Sequence, residues 1–265
     1  MHRTPPAHSS GPALSDLPPL PSLNPVSLER SATWLERGFR DFAAHPGIGL
    51  AYGSIFALLG WLMTFGLAGF GMGSLILPLA AGFMLVAPFL AVGLYEVSRR
   101  RENGEDVSLV RAIAALGRNR QMADMGLVLL LAFFVWFQLA MIIFALFFGG
   151  RPPALDEFVS QVVLAPQGAA FLITGTLVGG AVAAAVFAVS VVSMPMLLDR
   201  DVSALTAMRT SVRAVWLNRM NMIGWAATLA CLGMLGVAAF FVGLAVTLPI
   251  AAHASWHAYR DLVGE

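Results

Sequence analysis

The chain has 265 residues, 58% of them hydrophobic and 12% charged, with a net charge of +1 and a mean hydropathy of +0.78. Soluble domains carry about 25% charged residues, so this balance excludes an ordinary water-soluble globule and gives no basic surface for nucleic acid. It indicates an integral membrane protein. Cys231 is the single cysteine, which rules out an internal disulfide, and its apolar setting reads as that of a buried small hydrophobe.

In chain order, residues 1–26 hold Pro5, Pro6, Pro12, Pro18, Pro19, Pro21 and Pro25 among Ser, Ala and His, without the apolar core of a signal peptide. They read as a disordered cytoplasmic tail, and residues 27–265 as a membrane domain. A spanning helix needs about 20 apolar residues. The runs 48–70 and 74–96, joined by a tight turn at Gly71–Gly73, meet that length, as do 123–148 and 168–194. From Met220 to Tyr259 the chain is apolar over a length that would make one helix about 60 Å long, twice the hydrocarbon thickness. It must fold back, with a reversal expected near Gly233 to Ala239 and spans at 220–238 and 240–259.

Each pair of spans follows a short amphipathic segment, starting at Ser27, Ser108 and Ser203, where serine suits an N-cap. In the first, Trp34, Leu35, Phe39 and Phe42 share one face while Glu36, Arg37, Arg40 and Asp41 take the other. In the second, Leu109, Val110, Ile113 and Leu116 oppose Arg111 and Arg118. In the third, Leu205, Met208, Val212, Val215 and Trp216 oppose Arg209 and Arg213. These are expected to be interfacial helices whose arginines meet anionic lipid phosphates.

Pro88, Pro195 and Pro249 recur near the exit of the second span of each pair, where a helix kink is expected. Tyr95 and Trp256 follow the first and last of them at equal spacing as interface aromatics. The expected fold is therefore all-α: a polytopic bundle of six transmembrane helices in three degenerate units, each an interfacial helix plus a two-span hairpin. All sixteen basic side chains are arginines, and all but Arg151 fall in segments on one side of these spans. By the positive-inside rule that side is cytoplasmic, which places both termini in the cytoplasm of a multi-pass bacterial inner-membrane protein.

The stretches WLERGFRDFAAHPGIGLAYG (Trp34 to Gly53) and PFLAVGLYEVSRRRENGE (Pro88 to Glu105) resemble bacterial predicted integral membrane proteins, the family called domain of unknown function 2189. The similarity runs from about residue 30 to the C-terminus, and it implies a six-span architecture without an activity. Some members of that family carry the name cytochrome c oxidase subunit I. Such a subunit needs several buried histidines on different helices, whereas this chain has only His2, His8, His45, His253 and His257.

Among candidate sites, His253 and His257 stand four residues apart and can face one metal. The reading preferred here makes them interfacial histidines beside Trp256, with no cofactor. Glu96, Asp124 and Asp199 lie near the cytoplasmic ends, where arginines can pair with them, and the mid-span Gln138 and Thr174 suit interhelical hydrogen bonds. Gly49 with Gly53, Gly175 with Gly179, and Gly180 with Ala184 have the spacing of close helix packing inside the bundle. The outer segment from Gly149 to Gln167 reads as a short amphipathic helix. Together these features indicate a non-catalytic organising, assembly or regulatory role with lipid and a membrane-protein partner. A neutral-solute channel or transporter and an accessory subunit of a respiratory complex are the competing classes.

Overall fold

The computed structural model describes residues 20–149, 160, 162 and 164–264. The N-terminal part of the Pro-rich tail and most of the outer segment between Gly149 and Gln167 lie outside them. The described chain forms α1 (Arg30–Ala44), α2 (Pro46–Gly69), α3 (Ile76–Leu90), α4 (Val92–Glu102), α5 (Leu109–Ala114), α6 (Arg120–Phe148), α7 (Pro166–Ser190), α8 (Ser193–Asp199), α9 (Ala204–Leu217), α10 (Arg219–Ala238) and α11 (Leu244–Leu262). It contains no strand among these residues. Ser22–Asn24 and Leu262–Gly264 do pair as an isolated antiparallel bridge, with Asn24 N–H donating to the Leu262 carbonyl and Gly264 N–H to that of Ser22, each at 3.0 Å.

Among the described residues five stretches are long and apolar enough to cross a membrane: Pro46–Gly69, Gly73–Glu102, Arg120–Phe148, Gly168–Asp199 and Arg219–Ala238. The expected sixth span, α11, differs from them because His253, Ser255, His257, Arg260 and Asp261 crowd its second half. Those polar groups are sheltered, since α1, α2, α4 and α10 all pack on α11. The reversal before it spans residues 239–243, later than the sequence suggested. Gly233 and Gly236 do not make the turn; a Cβ on either would strike Met84 or Leu244, so they serve close packing of α10. The turn instead puts Phe240 and Phe241 at positive φ, and Trp61 Nε1 donates to the Phe240 carbonyl at 2.5 Å.

The three prolines act differently from one another. Pro195 has no N–H for the Val191 carbonyl, and the helix breaks at Val191–Val192 between α7 and α8. Ser211 of α9 fills that break, accepting from Val192 N–H at 3.2 Å and donating to the Ala188 carbonyl at 2.7 Å. Pro88 lies inside α3, and the break follows it at Ala91; Tyr52 of α2 caps it by donating to the Leu90 carbonyl at 2.6 Å. Pro249 sits within an unbroken α11. Because buried backbone groups without partners are costly, Ser211→Ala should lower stability by about 1–3 kcal/mol. Equilibrium unfolding in mixed micelles checks this, and a wild-type midpoint would show that the break needs no cap.

The amphipathic segments also differ from expectation in which side chains they turn toward the neighbouring helices. In α9 the buried face is Ala204, Thr206, Ala207, Thr210, Ser211 and Ala214, while Leu205, Val212 and Trp216 point outward. Small side chains let α9 lie close to α7 and α8. In α5, Ala112 is buried while Val110 and Ile113 are exposed. In α1 the buried face is Trp34, Gly38 and Asp41, with Phe39 exposed, so Asp41 leaves the polar face assigned to it. Ser108 and Ser203 do cap α5 and α9, accepting from Arg111 N–H and Thr206 N–H. Ser27 does not; α1 starts three residues later behind Glu29.

The glycine pairs divide as well. A Cβ on Gly53 would stand 2.6 Å from the Ala245 carbonyl oxygen, and on Gly49 against the Phe42 ring, so both hold α2 close to its neighbours. Gly179 faces the Trp136 ring. Gly175 and Gly180 meet nothing within 4 Å and are not internal packing positions. Cys231 is exposed on α10, not buried.

Candidate functional site

The polar side chains of the bundle converge at the end where α1, α4 and the second half of α11 meet. The approach of α1 is set by Gly38, where a Cβ would lie 2.6 Å from the Ala254 nitrogen. Three residues beyond each of these, Asp41 Oδ2 comes 2.9 Å from His257 Nε2. One turn back on α11, His253 Nδ1 is 2.8 Å from Ser98 Oγ, and Ser98 donates to Asp41 Oδ2 at 2.5 Å. Arg101 pairs with Asp41 Oδ1.

The hydrogen-bond directions in this cluster follow from counting protons. A carboxylate only accepts, so Ser98 gives its one proton to Asp41 and His253 must donate from Nδ1 to Ser98. His257 likewise donates from Nε2. Burial alone would push the Asp41 carboxyl up. The hydrogen bonds from His257 and Ser98, with the charge of the two imidazoles, outweigh it and hold the group below the usual carboxylate range.

Four further carboxylates anchor the same end. Glu96 takes Arg99 at 2.7 Å, Arg100 at 2.6 Å and Arg118 at 3.3 Å, with its own side chain 3% exposed. Asp199 accepts from the Tyr259 hydroxyl at 2.7 Å and lies 3.4 Å from Arg260. Asp261 accepts from Trp34 Nε1 at 2.9 Å and pairs with Arg37 at 3.3 Å. Glu102 joins Trp256 Nε1 at 3.0 Å and Arg260 at 3.4 Å. Asp124 is exposed and makes no ion pair among the described residues.

Several sequence-predicted sites are thereby reassigned. Trp256, on the part of α11 that α1 and α4 cover, and Tyr95, on α4 itself, are buried and not interface anchors. His253 is buried too, and both histidines have a ring nitrogen engaged by a neighbouring side chain. Among the described residues no three His, Cys, Asp or Glu side chains are grouped to hold a metal ion. Arg37 and Arg118 point to carboxylates of the bundle, and Arg40 and Arg111 lie near Glu36 and Asp106. Arg120, Arg209, Arg213 and Arg219 pair with no carboxylate among the described residues, and Trp216 beside them is 75% exposed. Asp41, Ser98 and Arg101 were not singled out by the sequence; the one available signal was an acid three residues after a glycine on an otherwise tryptophan-centred face.

Residues 76–199 match the family model of a predicted integral membrane protein (DUF2189). The match includes the stretch from Pro88 to Glu105, with Glu96 and Ser98, and stops short of α1 and α11. No curated protein and no solved structure matches the chain.

Proposed function

We propose that this integral membrane protein is a non-catalytic organiser of a membrane system, acting in assembly or regulation and docked on anionic lipid at the cytoplasmic face of a bacterial inner membrane. The observation that carries this reading is how the arginines divide. Most of the described arginines pair with carboxylates, whereas Arg120, Arg209, Arg213 and Arg219 pair with none, and the last three follow one another along α9 and the start of α10 with the outward Leu205, Val212 and Trp216. Apolar side chains that enter the headgroup boundary and cations that reach its phosphates are what an interfacial helix requires. The Ser98 and His253 pair supports a non-catalytic role: the two touch, but each is only 1% exposed, so no substrate reaches them.

The element order supports a threefold architecture, with α1 before α2 and α3–α4, α5 before α6 and α7–α8, and α9 before α10 and α11. In this reading α11 is a sixth crossing, made tolerable by the helices around it, and both termini are cytoplasmic. A membrane-protein partner would meet the same face. The lipid part is tested by replacing Arg209 and Arg213 together with glutamine. Retention of phosphatidylglycerol over phosphatidylcholine in native mass spectrometry should weaken by about 1 kcal/mol per charge, with the fold intact. An unchanged lipid preference would assign these arginines to a protein contact instead.

A further inference from the structure

Gln138 lies near the middle of α6, a 29-residue helix that is among the most apolar in the chain. The sequence suggested that its amide bonds a neighbouring helix of the same bundle. The structure turns it the other way: Gln138 is exposed, makes no hydrogen bond to any described residue, and sits in a stripe with the exposed Leu127, Leu131, Phe134 and Ile142. Trp136, Ala140 and Ile143 form the opposite, buried face of the helix. Counting 1.5 Å per residue, Gln138 is about 27 Å from Arg120 and about 15 Å from Phe148 along the helix. With α6 centred in a hydrocarbon layer about 30 Å thick, that depth is within hydrocarbon.

An amide in hydrocarbon with neither donor nor acceptor satisfied is costly, which is why polar side chains act as glue between membrane helices. We infer that the Gln138 face of α6 is the contact between two copies of this chain. A primary amide carries both a donor and an acceptor. Two glutamines facing each other across a two-fold axis therefore satisfy both groups at once, and the same residue of an identical copy is a sufficient partner. The flanking Leu131, Phe134 and Ile142 then pack against their counterparts above and below the amide pair. The contact uses none of the residues of the α1–α4–α11 cluster and does not depend on the role proposed for the protein.

The test is self-association of the full chain in lipid bilayers, measured by energy transfer between two labelled populations at varied protein-to-lipid ratio. Wild type should form dimers, and Gln138→Leu should weaken them roughly three- to thirtyfold, the measured range for interhelical hydrogen bonds in membranes. Gln138→Asn should retain part of the association. In a Cys231→Ala background, Gln138→Cys should yield a disulfide-linked dimer and Val128→Cys, which packs against the bundle core, should not. Because Gln138 is exposed and hydrogen-bonds no described residue, all Gln138 variants should keep the wild-type thermal midpoint at dilutions where the protein is monomeric. A monomeric wild type, or Gln138→Leu dimers as tight as wild type, would overturn the inference, as would association only with a different protein.

Discussion

Replacing Gly38 by valine should detach α1 from the bundle. The Cβ would be placed 2.6 Å from the nitrogen, 2.7 Å from the Cβ and 2.8 Å from the Cα of Ala254. Two of those atoms are helix backbone, so no rotamer change can relieve the contact. Overpacking in well-packed interiors costs about 1–3 kcal/mol even where side chains can shift, and the cost here should lie at or above the top of that range. The displacement would also pull Asp41 from His257 and Ser98, and Trp34 from Asp261. Gly180→Ala is the matched control: its Cβ meets nothing within 4 Å and alanine favours the helix. Limited proteolysis at α1 and the thermal midpoint read both variants, and equal midpoints would show that α1 is not held by this approach.

Glu96→Ala should destabilise the protein by about 3–5 kcal/mol, the range for removing one partner of a buried ion pair. The cost arises from what remains. Arg99 and Arg100, both mostly covered, would lose their shared acceptor, leaving Glu105 at 3.7 Å and 3.0 Å and the Asp106 carbonyl 3.4 Å from Arg100. Arg118 would lose its tie to the end of α4. The conservative Glu96→Gln keeps one acceptor oxygen and should cost less. Triple replacement of Arg99, Arg100 and Arg118 by methionine in the Glu96→Leu background should recover much of the loss, since an apolar set leaves no charge unpaired. Denaturant midpoints in one detergent rank the variants; a silent Glu96→Ala would mean that solvent already screens the cluster.

The apolar runs made most of the crossing helices legible, because hydrocarbon thickness imposes a length on them regardless of what they touch. The faces of the short helices were much less so. In α9 the larger apolar residues Leu205, Val212 and Trp216 point away from the bundle while Ala207 and Ser211 point in. Where the surroundings are lipid, apolar character no longer distinguishes inside from outside, and side-chain size takes over that role. In α1, Asp41 shares a helix with Glu36, Arg37 and Arg40, and a helical wheel alone groups it with them. Asp41 is covered by α4 and by α11, the latter more than two hundred residues later. The same blindness hid Ser98, whose hydroxyl has no meaning until His253 and Asp41 stand beside it.

The packing of α1 on α11, with the bridge between Leu23 and Val263 beside it, has a consequence for synthesis. α1 can find its seat only after α11 has been made. Until then α2, α3 and α6 must sit in the bilayer as a partial bundle, while Asp41 and Trp34 wait in water or at the headgroups. Contacts between distant parts of a chain are slow to form, so assembly should end with a docking step where α1 meets α11. Chains stalled before α11 emerges should show an α1 open to protease, and insertion machinery or a chaperone would have its longest opportunity to act on the protein there.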